Sequence, residues 1–166
     1  RASIIDISER RRADTLAHGE RRVLELIAAN APLERTLQAA VRLFEQLYPE
    51  ISAAVMLLDP DGKRIRLAAS GGLPQVLKQG LAELPVGIDA GPCGGAASLG
   101  RPVVIRDVET DPIAAPARPT LTAAGIPACC STPIMTAGDR IHGTFCVFFR
   151  SPRGPKTDEL DVITRL

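Results

Sequence analysis

The order of hydrophobic patterns along this chain predicts an α+β domain. It should hold a mostly antiparallel sheet of about five or six strands, helices on both sides and long flanking helices at either end. Three observations carry that expectation. Two pairs of strand-like runs are each joined by turn chemistry, so each pair reads as an antiparallel hairpin. Between the pairs lie short helical patterns and one short β-branched run at residues 103–106. Both ends of the chain show helical periodicity.

Residues 2–7 are a short β-branched run, and Ser8 followed by Glu9, Arg10, Arg11 and Arg12 is a helix start. The helical pattern continues to about Asn30. Ala13, Leu16, Val23 and Ile27 fall on an a/d seam that Glu20 interrupts, with a mostly Arg and Glu outer face. Such a helix either lies on its own domain or meets a second copy in a dimer. Pro32 marks a restart. Residues 33–48 then place Leu33, Leu37, Ala40, Val41, Phe44 and Leu47 on one helical face, and Pro49 stops them.

Residues 51–59 are a dense apolar run suited to a central strand. Pro60-Asp61-Gly62 is a turn. Residues 64–69 alternate Ile65, Leu67 and Ala69 against Arg64, Arg66 and Ala68, as a half-buried strand does. A short helix is expected over 75–81. The small residues from Gly91 to Ala97 suit close helix packing or backbone amides facing a ligand. Residues 107–111 form an acidic loop and 121–124 a short helix. Strands are expected over 126–134 and 141–150, around the turn Ala137-Gly138-Asp139. Thr157 caps a last helix with Asp158 and Glu159 in its first turn.

Composition narrows the function classes. The 166 residues are 45% hydrophobic and 23% charged with a net charge of +1, enough for one domain with a real core. Basic residues are scattered, which argues against nucleic acid as a partner. No apolar run reaches the roughly 20 residues of a membrane span. The first residues lack a signal peptide's layout. Aromatic residues are 3% and Trp is absent, so any pocket must be aliphatic. The chain begins without Met and ends inside the helical pattern TDELDVITRL, so it reads as a piece of a longer protein. Cys93, Cys129, Cys130 and Cys146 fit no zinc spacing and read as reduced thiols of a cytoplasmic protein. No metal and no cofactor is expected.

Several linked segments resemble a family. They are Leu57-Leu58-Asp59-x-Asp61-Gly62, then Gly91-Pro92-Cys93-Gly94-x-Ala96-Ala97, then Gly100-Arg101-Pro102-Val103-Val104-Ile105-x-Asp107-Val108-x-x-Asp111-Pro112. Gly125-Ile126-x-Ala128-Cys129-Cys130-Ser131-x-Pro133-Ile134 and Ile141-x-Gly143-Thr144-Phe145 follow. In this order they resemble a GAF domain over residues 31–166. Family members often carry an aromatic residue where this chain has Cys130. Residues 6–13 resemble the last strand and exit helix of a PAS domain, so residues 1–30 would be the end of an upstream PAS domain plus a signalling helix.

The resemblance implies a sensory domain of a signalling protein and not a free-standing enzyme. A small ligand would sit between sheet and middle helices, against Cys93, Asp107, Asp111, Cys129, Cys130 and Ser131. The flanking helices of a homodimer would pass its effect to a histidine kinase or a cyclic-di-GMP cyclase or phosphodiesterase. Three other readings stand beside this one. Cys93 with Cys129 or Cys130 would make a thiol redox sensor. A domain that binds nothing would be a dimerisation spacer. Free-methionine-(R)-sulfoxide reductases share a similar Gly-x-Cys-Gly, but this chain has Glu83 and no Cys in residues 107–118, where they carry further cysteines. Asp107 and Asp111 read first as capping and turn residues and otherwise as pocket polarity or a weak metal site, and His142 reads as a surface or edge histidine or as a haem ligand. The Asn-Lys-Phe-Asp-Glu signature of cyclic-nucleotide-binding relatives is missing, as is the Cys-His pair of bilin-binding ones.

Overall fold

A computed structural model describes the backbone of residues 2–165 and the side chains of residues 9–165. Helix α1 (Ala2–Ala28) is continuous, so the helix expected from Ser8 already begins at Ala2. Ile4, Ile5 and Ile7 cost a helix only a few tenths of a kcal/mol each, too little to stop it. Asn30 ends it in the left-handed region at φ 49°. Helix α2 (Leu33–Leu47) runs back along α1, so that Gly19 faces Leu43 and Arg12 lies over the Tyr48 ring.

The buried seam of α1 differs from the expected one. Leu16, Gly19, Val23 and Leu26 face α2, while Ala13 and Ile27 are exposed. Gly19 explains the choice. A Cβ there would lie 2.2 Å from Leu43 Cδ1, so the bare backbone lets the helices close up on that line. Glu20 sits beside the seam and pairs with Arg165 at 2.9 Å.

The sheet has six antiparallel strands. β1 (Ile51–Leu58) and β2 (Arg64–Ser70) form the first hairpin, and β3 (Glu83–Pro85) extends it at the edge. β5 (Ala128–Thr136) and β6 (Arg140–Phe149) form the second, with β4 (Val103–Ile105) at its edge. β6 pairs with β1, giving the order β3-β2-β1-β6-β5-β4. One face packs on α2 and on α6 (Thr157–Arg165) through Val41, Phe44, Phe145, Val147, Phe149 and Val162. The other face is covered by α3 (Gln75–Gly80), α4 (Gly91–Leu99) and α5 (Arg118–Ala123), around Met56, Ile65, Leu77, Ile105, Leu121 and Phe148.

A register shift in β2 corrects the expected alternation. Ala69 pairs with Val55 but Leu67 pairs with Met56, so Ala68 is an extra residue. Ile65 and Leu67 face α3 and α4, whereas Ala69 joins the α2 face.

Tyr48 ties the end of α2 to α6. Its hydroxyl donates to the Asp158 carbonyl at 2.9 Å and lies 3.2 Å from Asp158 Oδ2. Burial, then the Asp158 charge, pushes the phenol from 10.0 to about 12. The unfolded phenol ionises near its ordinary value, so the stability this group contributes is present below about pH 10 and is lost as pH rises toward about 12. Urea midpoints at about pH 9 and about pH 11.5 should therefore fall further for the wild type than for Tyr48→Phe. Equal losses would show that Tyr48 is not the group responsible.

Candidate functional site

The pleat of the second hairpin sorts its cysteines. Successive side chains of a strand point to opposite faces. Cys129 and Ser131 of β5 thus share a face with Cys146 and Phe148 of β6, to which they pair directly: Cys129 opposite Phe148, and Ser131 opposite Cys146. Cys130 points the other way, into the α2 face, and lies 3.9 Å from the Thr132 hydroxyl.

Above the Cys129 face lies α4. It opens on Gly91 at φ 79° with Pro92 in its first turn, then runs through small residues that let it lie low on β4, β5 and β6. At Gly94 an added Cβ would be 2.3 Å from the Pro85 carbonyl oxygen, so only glycine fits there. This approach brings Cys93 down to the sheet, with its Sγ 3.3 Å from Cys146 Sγ. Ser131 Oγ and Thr144 Oγ1 lie 3.3 and 3.4 Å from the same sulfur.

Beside the thiols a cavity of about 280 Å³ opens between α3, α4, α5 and the sheet. Leu77, Leu81, Leu84, Leu121 and Phe148 form its walls, and Cys93 lies at its inner side. Exposed Asp89 and half-buried Thr120 stand at its edge. An aliphatic space with a few polar groups is the ordinary form of a small-molecule site.

The thiols are electrically unequal. The contact with Cys146 and then burial raise the Cys93 pKa well above the usual value. Cys146 is lowered, first by the bond from Cys93 and then by the Ser131 and Thr144 hydroxyls, against the opposing effect of burial. Burial raises Cys129 strongly, and raises Cys130 to about 11. The first ionisation of the cluster therefore belongs to the Cys93–Cys146 pair, and the Ser131 and Thr144 hydroxyls beside Cys146 favour the negative charge there.

Of the six residues expected at the ligand, the structure brings Cys93, Cys129 and Ser131 to one face and Cys93 to the cavity wall. Cys130 is on the wrong side of the sheet for it. Asp107 and Asp111 are engaged in the loop: Asp107 Oδ1 accepts from the Glu109 amide at 3.0 Å. Asp111 Oδ1 accepts from the Ile113 amide at 2.9 Å and so caps the 3-10 turn Pro112–Ala114. Arg118 holds the same loop from its carbonyl side, at Val108 and Asp111. Neither carboxylate lines the cavity. His142 lies near the turn of the second hairpin, 3.0 Å from Thr136 Oγ1. Among the described residues no group of three His, Cys, Asp or Glu side chains could hold a metal ion. No described helix is long and apolar enough to cross a membrane. Cys146 is not among the six residues expected at the ligand, although its two-residue spacing from Phe148 places both on one face of β6.

A family model described as a GAF domain matches residues 30–166. The methyl sulfide methyltransferase-associated sensor of Methanosarcina acetivorans is 31% identical over 160 residues, 96% of this chain. The chain spans only 16% of that relative's length. Among solved structures, the GAF domain of a phosphoenolpyruvate-protein phosphotransferase from Coxiella burnetii superposes with a TM-score of 0.71 at 18% identity, covering 92% of this chain and 88% of that one. The type II free methionine-R-sulfoxide reductase of Thermoplasma acidophilum gives 0.61 at 14% identity, over 80% and 84% of the two chains. At such identities the two solved structures speak to fold alone.

Proposed function

Since the chain belongs to the GAF domain family, we propose that it is the sensory domain of a larger signalling protein and binds a small molecule in the cavity beneath α3, α4 and α5. The observation that carries this reading is the cavity itself: about 280 Å³, aliphatic, and bounded by three helices on one side and by Phe148 of β6 on the other. The relative named as a sensor supports the sensory half of the proposal.

The strand beneath the cavity supplies a route for the signal. Phe148 touches the cavity, and its neighbour Phe149 sits in the core beneath α2 and α6. A ligand that packs better with one placement of Phe148 and α4 than another shifts the population of those placements. The same strand then carries the shift to α6, whose chain direction leads to whatever output domain follows. In this proposal α1 and α6 pair with those of a second copy, and the output is a histidine kinase or a cyclic-di-GMP enzyme. The domain performs no chemistry of its own in this reading.

Thermal unfolding of the reduced chain against a metabolite panel tests the proposal. A ligand at about 100 times its Kd adds about 2.7 kcal/mol, which raises Tm by roughly 5–10 °C in a domain of this size. Ala117→Phe should abolish that shift while leaving the unliganded Tm nearly unchanged, because half-buried Ala117 lines the cavity and a phenyl ring there fills it. No stabilisation by any compound, with no molecule co-purifying, would make the domain a spacer.

A further inference from the structure

The thiol contact beside the cavity has no part in reversible ligand binding, yet it is a built arrangement. Cys93 and Cys146 are 53 residues apart in sequence and come from different elements, α4 and β6, with their sulfurs 3.3 Å apart. Both are buried, at 4% and 1% exposure, and both are unbonded thiols. The sulfurs need to approach by little more than 1 Å to reach the disulfide bond length of about 2.05 Å. Two hydroxyls, Ser131 and Thr144, converge on Cys146, where they can donate to a thiolate. Cys93 also faces the cavity, so a molecule seated there lies one sulfur away from Cys146.

We propose that Cys93 and Cys146 are a redox-active dithiol that a small uncharged peroxide, hydrogen peroxide or a short alkyl hydroperoxide, enters the cavity to oxidise to a disulfide. The proposal rests on the reading of this cavity as the sensory site, through the oxidant's route of entry. Ionised Cys146 takes the Cys93 proton across the 3.3 Å contact, and the Cys93 thiolate, which faces the cavity, attacks one peroxide oxygen. The O–O bond breaks, a sulfenic acid forms on Cys93, and the departing oxygen takes up the proton released when the pair first ionised, leaving as water or alcohol. Cys146 then attacks the sulfenic sulfur. The S–S bond forms, the S–O bond breaks, and the hydroxide takes the Cys146 proton as water. The two thiols lose two electrons and two protons, and the peroxide gains them. A low-molecular-weight thiol reverses the bond by exchange. This pairing replaces that of Cys93 with Cys130, which lies across the sheet, and is favoured over that with Cys129, which shares the face of Cys93 but, among the described contacts, does not meet its sulfur as Cys146 does. The cross-link fastens α4 to β6 beside the cavity, so oxidation acts on the same helix that a ligand would move.

The reduced chain is treated with hydrogen peroxide or tert-butyl hydroperoxide, its thiols are counted after denaturation, and its peptides are mapped without reductant. The free-thiol count should fall from four to two. One linked peptide should join Cys93 to Cys146, and dithiothreitol should restore the count. Cys93→Ser and Cys146→Ser should each remove the linked peptide, and Cys130→Ser should keep it. Should a serine variant fail to fold, the wild-type map decides by itself. Cross-linking by either peroxide supports the assignment, and the relative rates tell which of the two the cavity admits. An unchanged thiol count, a link through Cys129 or Cys130, or sulfinic acid without a link would overturn it. No other ligand is present, so such a failure leaves the thermal-shift result on the reduced chain standing.

Discussion

Replacing Arg153 by Ala is expected to lower the unfolding free energy by about 3–5 kcal/mol. The Glu159 side chain in α6 is 3% exposed, and Arg153 grips it in a two-pronged pair: Nη1 to Oε2 and Nη2 to Oε1, both at 2.9 Å. The Lys156 amide adds a third donor at 2.8 Å. Arg153 also lies over the Phe149 ring at 4.2 Å, so its truncation removes packing as well as charge. What remains is a buried carboxylate with one donor, and desolvation of that charge sets the cost. The contrast with Arg12–Asp158 decides which ion pair matters. That pair is 51% and 54% exposed at 3.2 Å, where solvent screening leaves about 0–1 kcal/mol. The double variant Arg153→Met, Glu159→Leu should recover most of the loss, because no charge is then buried. Urea midpoints read both variants against the wild type. A loss under about 1 kcal/mol for Arg153→Ala would mean that the carboxylate finds water and that α6 is less firmly held than the geometry implies.

How far the sequence discloses this fold depends on where local chemistry decides and where it does not. The hairpins are legible because their turns are: Gly62 at φ 71°, and Gly138 and Asp139 at φ 89° and 59°, sit where Pro60-Asp61-Gly62 and Ala137-Gly138-Asp139 predict them. The two bulges are not legible. Near its turn the second hairpin pairs Thr136 with Arg140 and Met135 with Ile141. Continued without a break, that register would set Cys130 opposite Cys146. His142 is an extra residue, so Ile134 pairs with Gly143 and Ser131 with Cys146. One residue of slip moves Cys146 from the α2 face to the face of Cys93. That is why a reading of the cysteines by sequence alone coupled Cys93 to its neighbours on β5 and passed over its partner on β6. The cavity walls were hidden for a related reason. α3 and α5 are six residues each, too short for a helical period to declare which face is buried. Leu77, Leu81 and Leu121 meet only because the two helices pack on each other.

Gly94→Ala is expected to cost about 2–3 kcal/mol, although the same change in an open helix would gain about 1 kcal/mol. The sign turns on space. A Cβ at residue 94 meets the Pro85 carbonyl oxygen at 2.3 Å and Ala90 Cβ at 2.6 Å. That carbonyl belongs to a residue paired in β3 with Arg64, and the Gly87 amide donates to the Gly94 carbonyl at 3.2 Å, so neither side yields easily. The helix must back away by about 1 Å to reach ordinary contact. The neighbouring glycine supplies the comparison. A Cβ at Gly95 would find Val103 Cγ2 at 3.7 Å, an ordinary van der Waals distance, so Gly95→Ala should be neutral or stabilising by up to about 1 kcal/mol. The shift of α4 also carries Cys93 away from Cys146. Peroxide cross-linking should therefore slow about tenfold in Gly94→Ala and keep its rate in Gly95→Ala, since misplacing reacting atoms by about 1 Å costs one to two orders of magnitude. If the two variants unfold at the same urea concentration, the close approach of α4 to β3 is not what seats the helix. If they differ in stability but cross-link equally fast, the sulfur contact does not depend on that seating.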